Sequence, residues 1–581
     1  MTFAAVEPAK PILFVEFRFL WIFALIFGVN WMLRSNTARK VWLLVCSHVF
    51  YGCFFIGNPM EFFPNLFSGN WSELPTGWWF PSLLWFSTVM DYYVGVGIED
   101  AKDDRRRKLW VFGSLAVNLG VLGFFKYYGF FDQNVRAVFA WLGLTPSWKP
   151  LEVFLPYGIS FYTFQSLSYS LEVYRKKLPA ERNFLNLAFF IAFFPQVVAG
   201  PIVRAMTFLP QTLKKVEWSS IDVRGCLVLF LIGFVKKACV GDRLAEVSDL
   251  YFAAPENYSA YSAWAASMCY AGQIYCDFSG YSDMAIAVAR LLGYELCQNF
   301  AFPYFSASIT EFWRRWHMSL SSWLRDYLYI SLGGNRGSKL FTYRNLMLTM
   351  VLGGLWHGAS WTFVVWGAMH GFALIVHREW SRVTAAAAGI AKVMKFIAVP
   401  LTFFWVMLTW VPFRANDIYI DRDNAADNAA KRLVRTSAGF QDLQEHKLVY
   451  PFAKSVEKKD GQTESVALLS HDAKAGVWKG TDADGKPATI RLHQTGFELT
   501  AKVWQSLVLF KDHAKKNVCG NAKWVLLGAL VLVHWLNSRS YLSKWWRAIP
   551  EWLFSMLLGA GWALALAFKV VAYKQFIYFQ F

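Results

Sequence analysis

The chain of 581 residues is short of the usual signatures of soluble enzymes. It has no Cys-x-x-Cys pair, no GxxxxGK[ST] phosphate loop, no GxSxG elbow, no GxGxxG run after a strand and no HExxH. Zinc ribbons, ATP-driven transport and α/β-hydrolase chemistry lose support accordingly. Internal repeats and low-complexity tracts are missing too. Acidic residues are scarce, 40 Asp and Glu against 58 Lys and Arg, a formal net charge of +18. Some stretches carry almost no charge: residues 58–77 contain no Lys or Arg, and His357 is the one ionisable group between Arg344 and His370. The eight cysteines fall mostly in apolar runs, where a free thiol packs as a small hydrophobe, so neither disulfides nor a zinc site are expected.

Apolar residues take the place of what is missing. They make up 56% of the chain, and aromatics make up 18%. The runs 11–33, 41–56, 78–97, 109–131, 226–240, 396–411, 524–535 and 551–571 approach or reach the roughly 20 residues a bilayer-crossing helix needs. Four more (154–171, 187–200, 258–292 and 345–376) are apolar but richer in polar, Gly and Pro positions. The sum is about eleven spans, some broken or re-entrant. The first run is too long for a signal-peptide core and reads as an uncleaved span. In a soluble chain +18 would suggest nucleic acid. Here the basic loops 34–40, 102–108 and 175–182 follow the positive-inside pattern, so no nucleic-acid partner is expected. Anionic lipid headgroups would hold those loops. This orientation puts the N-terminus and the loop 58–77 outside.

The predicted architecture is an all-α polytopic membrane protein with a small, partly β soluble insertion. Residues 1–150 form apolar hairpins, 151–413 hold most of the intramembrane polar groups, 414–521 are charged and lack a spanning run, and 522–581 form a last hairpin. Within the insertion, 466–470, 477–479, 488–494 and 497–503 read as strands, with Asp484-Gly485 as a hairpin turn. Span counting places the insertion outside.

An ionisable side chain at membrane depth is a functional-site hypothesis by default. His317 sits in Trp313-Arg314-Arg315-Trp316-His317-Met318-Ser319-Leu320, within 311–329, whose aromatic spacing of three to four predicts one helix. That basic helix suits the phosphates of a coenzyme, or equally an interfacial anchor with Trp side chains. His357 differs, with Gly353 and Gly354 before it and Gly358 after it. An imidazole there suits a general base, or a histidine hydrogen-bonded to a neighbouring helix. The two histidines therefore read as separate stations, His317 near the cytoplasmic face and His357 deep. His370 is a candidate supporting partner and His377 an interfacial residue. Asp277, Asp283 and Arg290 crowd one apolar segment, where Asp283 and Arg290 could share a helix face. A polar network holding helices together explains them as well as chemistry does. Pro195-Gln196 and Gly200-Pro201 break the run 187–203, as in helices that line a cavity.

Several motifs resemble the membrane-bound O-acyltransferase family. They are PYGISFYTFQ (156–165), FFPQVVAGPIVR (193–204), YCDFSGYSDMA (275–285), the segment 311–329, LGGNR (332–336) and GGLWHGASW (353–361), in order across about residues 80–413. The pattern is most similar to the bacterial branch that O-acetylates exported polysaccharide of the alginate type. The resemblance implies a multi-helix disc around a central funnel, with the family histidine at His357 and the second polar position at His317. It implies transfer of an acyl group, most often acetyl, from a cytoplasmic thioester such as acetyl-CoA to an extracytoplasmic polysaccharide. A periplasmic acetyltransferase partner, a bacterial inner-membrane location and no bound metal or cofactor belong to the same expectation. Arg314, Arg315, Trp316, Arg325, Asp277, Asp283, Trp356 and Asn335 are candidate substrate contacts. The insertion at 414–521 departs from the branch pattern and leaves the partner and polymer open. The D-alanylation branch shares the Trp-His-Met-Ser-Leu and Trp-His-Gly runs and ranks second. Outside the family, a transporter would also use broken helices and buried polar groups, and a secretion scaffold would need neither histidine.

Overall fold

The computed structural model describes residues 13–55, 78–144, 153–415 and 487–570 almost continuously, and between 416 and 486 only the strands. The loop 58–77 and the Asp484-Gly485 turn lie outside the described residues. The chain divides into two compact units, one of residues 1–220 and 416–495, the other of residues 221–415 and 496–581.

Some helices of the first unit are started by short polar side chains. Ser35 accepts from the Ala38 amide ahead of Asn36–Gly52, and Asp103 from the Arg106 amide ahead of Asp104–Leu122. Each satisfies one of the amides a helix start leaves without an intrahelical acceptor. A buried carboxylate ties three helices together. Asp91, on Phe80–Asp100, accepts from Ser114 at 2.8 Å, Ser170 at 2.9 Å and Asn118 at 3.1 Å. The run through Pro195 breaks: one helix ends at Ala192 and a single turn, Phe194–Val197, follows. The described segments between Ile418 and Gln494 are short β-strands. Seven form an antiparallel sheet in which the first, Ile418–Asp421, pairs with the last, Pro487–Gln494, so this stretch of chain leaves and returns side by side.

The expected strand at 497–503 is instead the start of a helix, Gly496–Leu509. Phe497, Leu499, Ala501 and Val503 alternate with polar residues and mimic a strand. The longer stretch buries Leu499, Val503 and Leu507, four apart, which is a helical face.

The second unit centres on Ala260–Leu291, a 32-residue helix buried along most of its length. Val223–Phe234 runs against it backbone to backbone. A Cβ on Gly233 would come 2.6 Å from the Gly280 carbonyl oxygen, and one on Gly280 equally close to that of Gly233. Lys339–His357 and Trp361–Ala386 pack in the same manner through Gly354 and Gly367, where Cβ atoms would run into the carbonyl oxygens of Phe363 and Met350.

Among the described residues, three helices combine the length and apolarity to cross a bilayer: Asp104–Trp141, Phe396–Arg414 and Glu551–Phe568. Phe17–Met32 and Ala522–Ser538 are apolar and shorter. Other runs counted among the eleven expected spans fall short for visible reasons. Phe184–Ala192 stops after nine residues, Val223–Phe234 winds into a turn carrying two lysines, and Ala260–Leu291 holds many buried polar side chains. Large apolar side chains such as Trp21, Phe112, Phe396 and Trp552 face outward, as they do in a hydrocarbon environment.

The glycine contact gives a direct check. Gly354→Ala forces two helix backbones apart and is expected to cost about 1–3 kcal/mol, read as a lower melting temperature in detergent. Gly113→Ala, where a Cβ meets open space, is expected to leave it unchanged or raise it slightly.

Candidate active site

The predicted helix over 311–329 is broken where the chemistry sits. Ser308 caps Ile309–Arg315, Trp316 turns extended, and His317 adopts φ +42°, in the left-handed region. Helix resumes as Met318–Trp323 and widens into a π-helical stretch, Leu324–Tyr329. A histidine at positive φ is uncommon and needs outside support. Asn299 supplies it. Its carbonyl oxygen accepts from the Met318 amide at 2.9 Å, and its Oδ1 accepts from the Ser319 hydroxyl at 2.6 Å and the Ser319 amide at 3.3 Å. Its Nδ2 donates to Ser282 on the central helix at 3.3 Å, and the nearby Ala301 amide donates to the Arg315 carbonyl at 2.9 Å.

The break turns His317 inward. Its ring is fully buried, 4.7 Å between centroids from Phe278 and 6.5 Å from His357. The two histidines are therefore one station, not the two read from sequence. A continuous helix would have left His317 on an interfacial face; the left-handed residue reverses its direction.

His357 is the last residue of Lys339–His357, and extended Gly358 ends the helix. Aromatic rings enclose it: Trp356 at 5.0 Å, Trp366 at 5.1 Å and Phe413 at 5.3 Å. Trp410 packs on Trp316, Trp366 and Phe413 behind them. His370 does not touch His357. Trp366 stands between them, 4.8 Å from His370, whose Nε2 is 3.0 Å from the Thr409 hydroxyl. His377 lies 2.9 Å from the Thr310 hydroxyl through Nδ1.

The other candidates divide by environment. Asp277 is buried in an ion pair with Lys237, whose ammonium also reaches Asp242 at 2.8 Å. Asp283 pairs with Lys236 at 2.7 Å, and Arg290 with Glu295 at 2.8 Å, so the expected sharing of a face by Asp283 and Arg290 does not bring them together. Asp283 turns instead toward the neighbouring helix, where a cation is available. Arg314 is exposed, Arg315 pairs with Glu311 at 2.6 Å and Arg325 with Asp326 at 2.7 Å. Exposed Asn335 accepts from Tyr329 at 2.5 Å and from Arg378 at 2.9 Å. Trp316 and Trp356 are buried beside the histidines.

Sequence reasoning missed Lys236 and Lys237. They lie on a π-helical turn, Val235–Gly241, whose wider winding presents adjacent lysines to Ala260–Leu291. The signal was available: two charges in the middle of the apolar run 226–240. Trp366, Trp410, Phe413 and Asn299 were missed as well, because none carries a charge or a motif of its own.

With this geometry in hand, the comparisons with known proteins can be placed. The model of the membrane-bound O-acyltransferase family, MBOAT, matches residues 82–414. The chain belongs to that family. It is 40% identical over 403 residues to the probable alginate O-acetylase AlgI of Pseudomonas aeruginosa, covering 69% of this chain and 72% of the relative. A peptidoglycan O-acetyltransferase of Helicobacter pylori is 35% identical over 407 residues, 65% of this chain and 71% of its own. A teichoic acid D-alanyltransferase of Streptococcus thermophilus is 28% identical over 291 residues, covering 46% and 70%. This MBOAT protein is thus an O-acyltransferase and a membrane protein, and every residue of the histidine cluster named above falls within the matched region.

Two substitutions test the supports of the cluster. Asn299→Ala removes three side-chain hydrogen bonds and frees the His317 turn. It is expected to cost about 1–3 kcal/mol of stability and to slow acyl transfer at least tenfold, read by melting and by a transfer assay. Lys237→Met leaves Asp277 and Asp242 facing each other without their cation, at an expected cost of about 3–5 kcal/mol in the melting curve.

Proposed function

We propose that this protein moves an acyl group, most often acetyl, from a cytoplasmic thioester such as acetyl-CoA to the hydroxyl of an extracytoplasmic polysaccharide of the alginate type. The observation that carries the reading is the placement of His357, buried in an aromatic box with His317 beside it. His357 takes the proton from an acceptor hydroxyl; the oxygen attacks the thioester carbonyl; the C–S bond breaks and the thiol leaves with a proton. A positioned base of this kind contributes about 10²–10⁴-fold. Water-poor aromatic walls limit hydrolysis of the donor. His317, fixed by its backbone, steadies the position of the substrate or of His357.

The surrounding assignments follow the same reading. Arg314, Arg315 and Arg325 form a basic surface suited to coenzyme phosphates, with Asn335 at its edge. Trp316 and Trp356 wall the acyl path, while Asp277 and Asp283 hold the helices that line it. The protein works as a multi-pass protein of a bacterial inner membrane, with basic loops inside and the stretch 414–521 outside, where a periplasmic acetyltransferase partner would receive or direct the group. No resident metal or cofactor is required. Acetyl is favoured over D-alanyl because the relatives named as O-acetylases match more of the chain at higher identity.

The test is a reconstituted protein given labelled acetyl-CoA and its exopolysaccharide. His357→Ala is expected to lower transfer about 10²–10⁴-fold while the melting temperature stays near that of the parent. Transfer at the parental rate by the folded variant would overturn the assignment.

A further inference from the structure

Pro412 sits inside the helix Ala388–Arg414, between Trp410 and Phe413. A proline has no amide hydrogen, so the Leu408 carbonyl, four residues back, lacks the donor that a helix normally gives it. A backbone carbonyl left without a donor away from water is costly. The indole of Trp504 supplies one, its Nε1 donating to the Leu408 oxygen at 3.1 Å. Trp504 lies on Gly496–Leu509, beyond the family-matched residues 82–414. That helix is itself fixed. Leu499, Val503 and Leu507 are buried, and Lys502 pairs with Glu256 at 3.4 Å. A Cβ on its first residue, Gly496, would come 2.8 Å from the Ala415 carbonyl oxygen and 2.9 Å from the Thr362 side chain. The last turns of Ala388–Arg414 are held at two further points: the Thr409 hydroxyl is 3.0 Å from His370 Nε2, and Arg414 pairs with Asp249 at 3.0 Å. Between these points the chain presents Trp410 and Phe413 to the histidine cluster. Phe413 is 5.3 Å from His357, and Trp410 is 5.0 Å from Trp316, the residue before His317.

We propose that Trp504 is a positioning residue for acyl transfer. Its indole N–H takes the place of the helix hydrogen bond that Pro412 removes, and so holds Trp410 and Phe413 in the wall around the two histidines. A proline inside a helix weakens the turn before it, both by the lost bond and by crowding the carbonyl four residues back. A tie from a second helix restores the stiffness of that turn. The stiffness matters because misplacing groups around a reacting centre by about 1 Å can slow a reaction by about 10²-fold. Trp504 acts through the turn and not on the reacting atoms. The expected effect on rate rests on the reading of His357 as the base; the exchange of one hydrogen-bond donor for another does not.

Trp504→Phe keeps an aromatic ring and deletes the N–H. In the full-length reconstituted protein given labelled acetyl-CoA and exopolysaccharide, it is expected to lower kcat about tenfold, with KM for acetyl-CoA changed less than about twofold. Pro412→Ala returns an amide hydrogen to the Leu408 carbonyl. In a Pro412→Ala background, Trp504→Phe is therefore expected to change kcat by less than about twofold, because two donors now serve one acceptor. Pro400 interrupts the same helix three turns earlier, and in a Pro400→Ala background the full loss is expected to persist. Melting temperatures of the same variants are expected to follow the same pattern, with Trp504→Phe lower by roughly 2–4 °C except where Pro412 is replaced. Parental kcat in Trp504→Phe, or an undiminished loss in the Pro412→Ala background, overturns the proposal. His357→Ala separates the two readings. If it transfers at the parental rate while Trp504→Phe is slow only where Pro412 is present, the positioning role stands and the base assignment falls.

Discussion

The left-handed turn at His317 is the feature on which the centre of this molecule depends. Four hydrogen bonds from Asn299 and its neighbourhood hold an unfavourable backbone conformation in place. Such a conformation costs on the order of 1–3 kcal/mol and persists only where the surroundings over-determine it. What the cost secures is direction. The turn carries the chain from a basic helix, Ile309–Arg315, to a buried imidazole in two residues. Basic side chains and the inward histidine can then share one short segment without a charged group being buried.

The same economy governs the charges that are buried. Lys237 lies between Asp277 and Asp242, and Lys236 against Asp283, so each cation on the π-helical turn meets a carboxylate on a packed neighbour. Removing an ion from water is costly unless its partner is fixed and close. The glycine pair Gly233 and Gly280 brings the two helices near enough for that. Gly354 and Gly367 do the equivalent for His357, fixing its helix end against Trp361–Ala386. Close backbone packing and placement of polar groups are therefore two aspects of one design.

Much of this was legible in the sequence. Apolar runs gave helices, and both histidines stood out as ionisable groups in apolar surroundings. The illegible part has a common cause. Periodicity is local, and it cannot register hydrogen bonds from Asn299 that convert a helical pattern over 311–329 into a break. For the same reason it paired Asp283 with Arg290 along one helix, when a lysine on another helix offered a better partner. At 497–503 a period of two coincided with a period of 3.6 over seven residues, and only the extra turn to Leu509 separates them. Trp366, Trp410 and Phe413 escaped notice because an aromatic residue among many aromatics carries no signal until its neighbours are known.

Those aromatics explain how the histidines can serve an acyl-transfer enzyme. A thioester is vulnerable to water, and a strong general base near it would promote hydrolysis as readily as transfer. If His357 is the base, as proposed above, enclosing it among Trp356, Trp366 and Phe413 would keep out the competing nucleophile rather than weaken the base. Edge-to-face ring packing also helps to fix the imidazole plane. His370 shows the contrasting arrangement, with its Nε2 engaged by Thr409 and Trp366 interposed. Two buried histidines in one aromatic cluster thus differ in their neighbours: His317 stands beside His357, and the Thr409 hydroxyl beside His370.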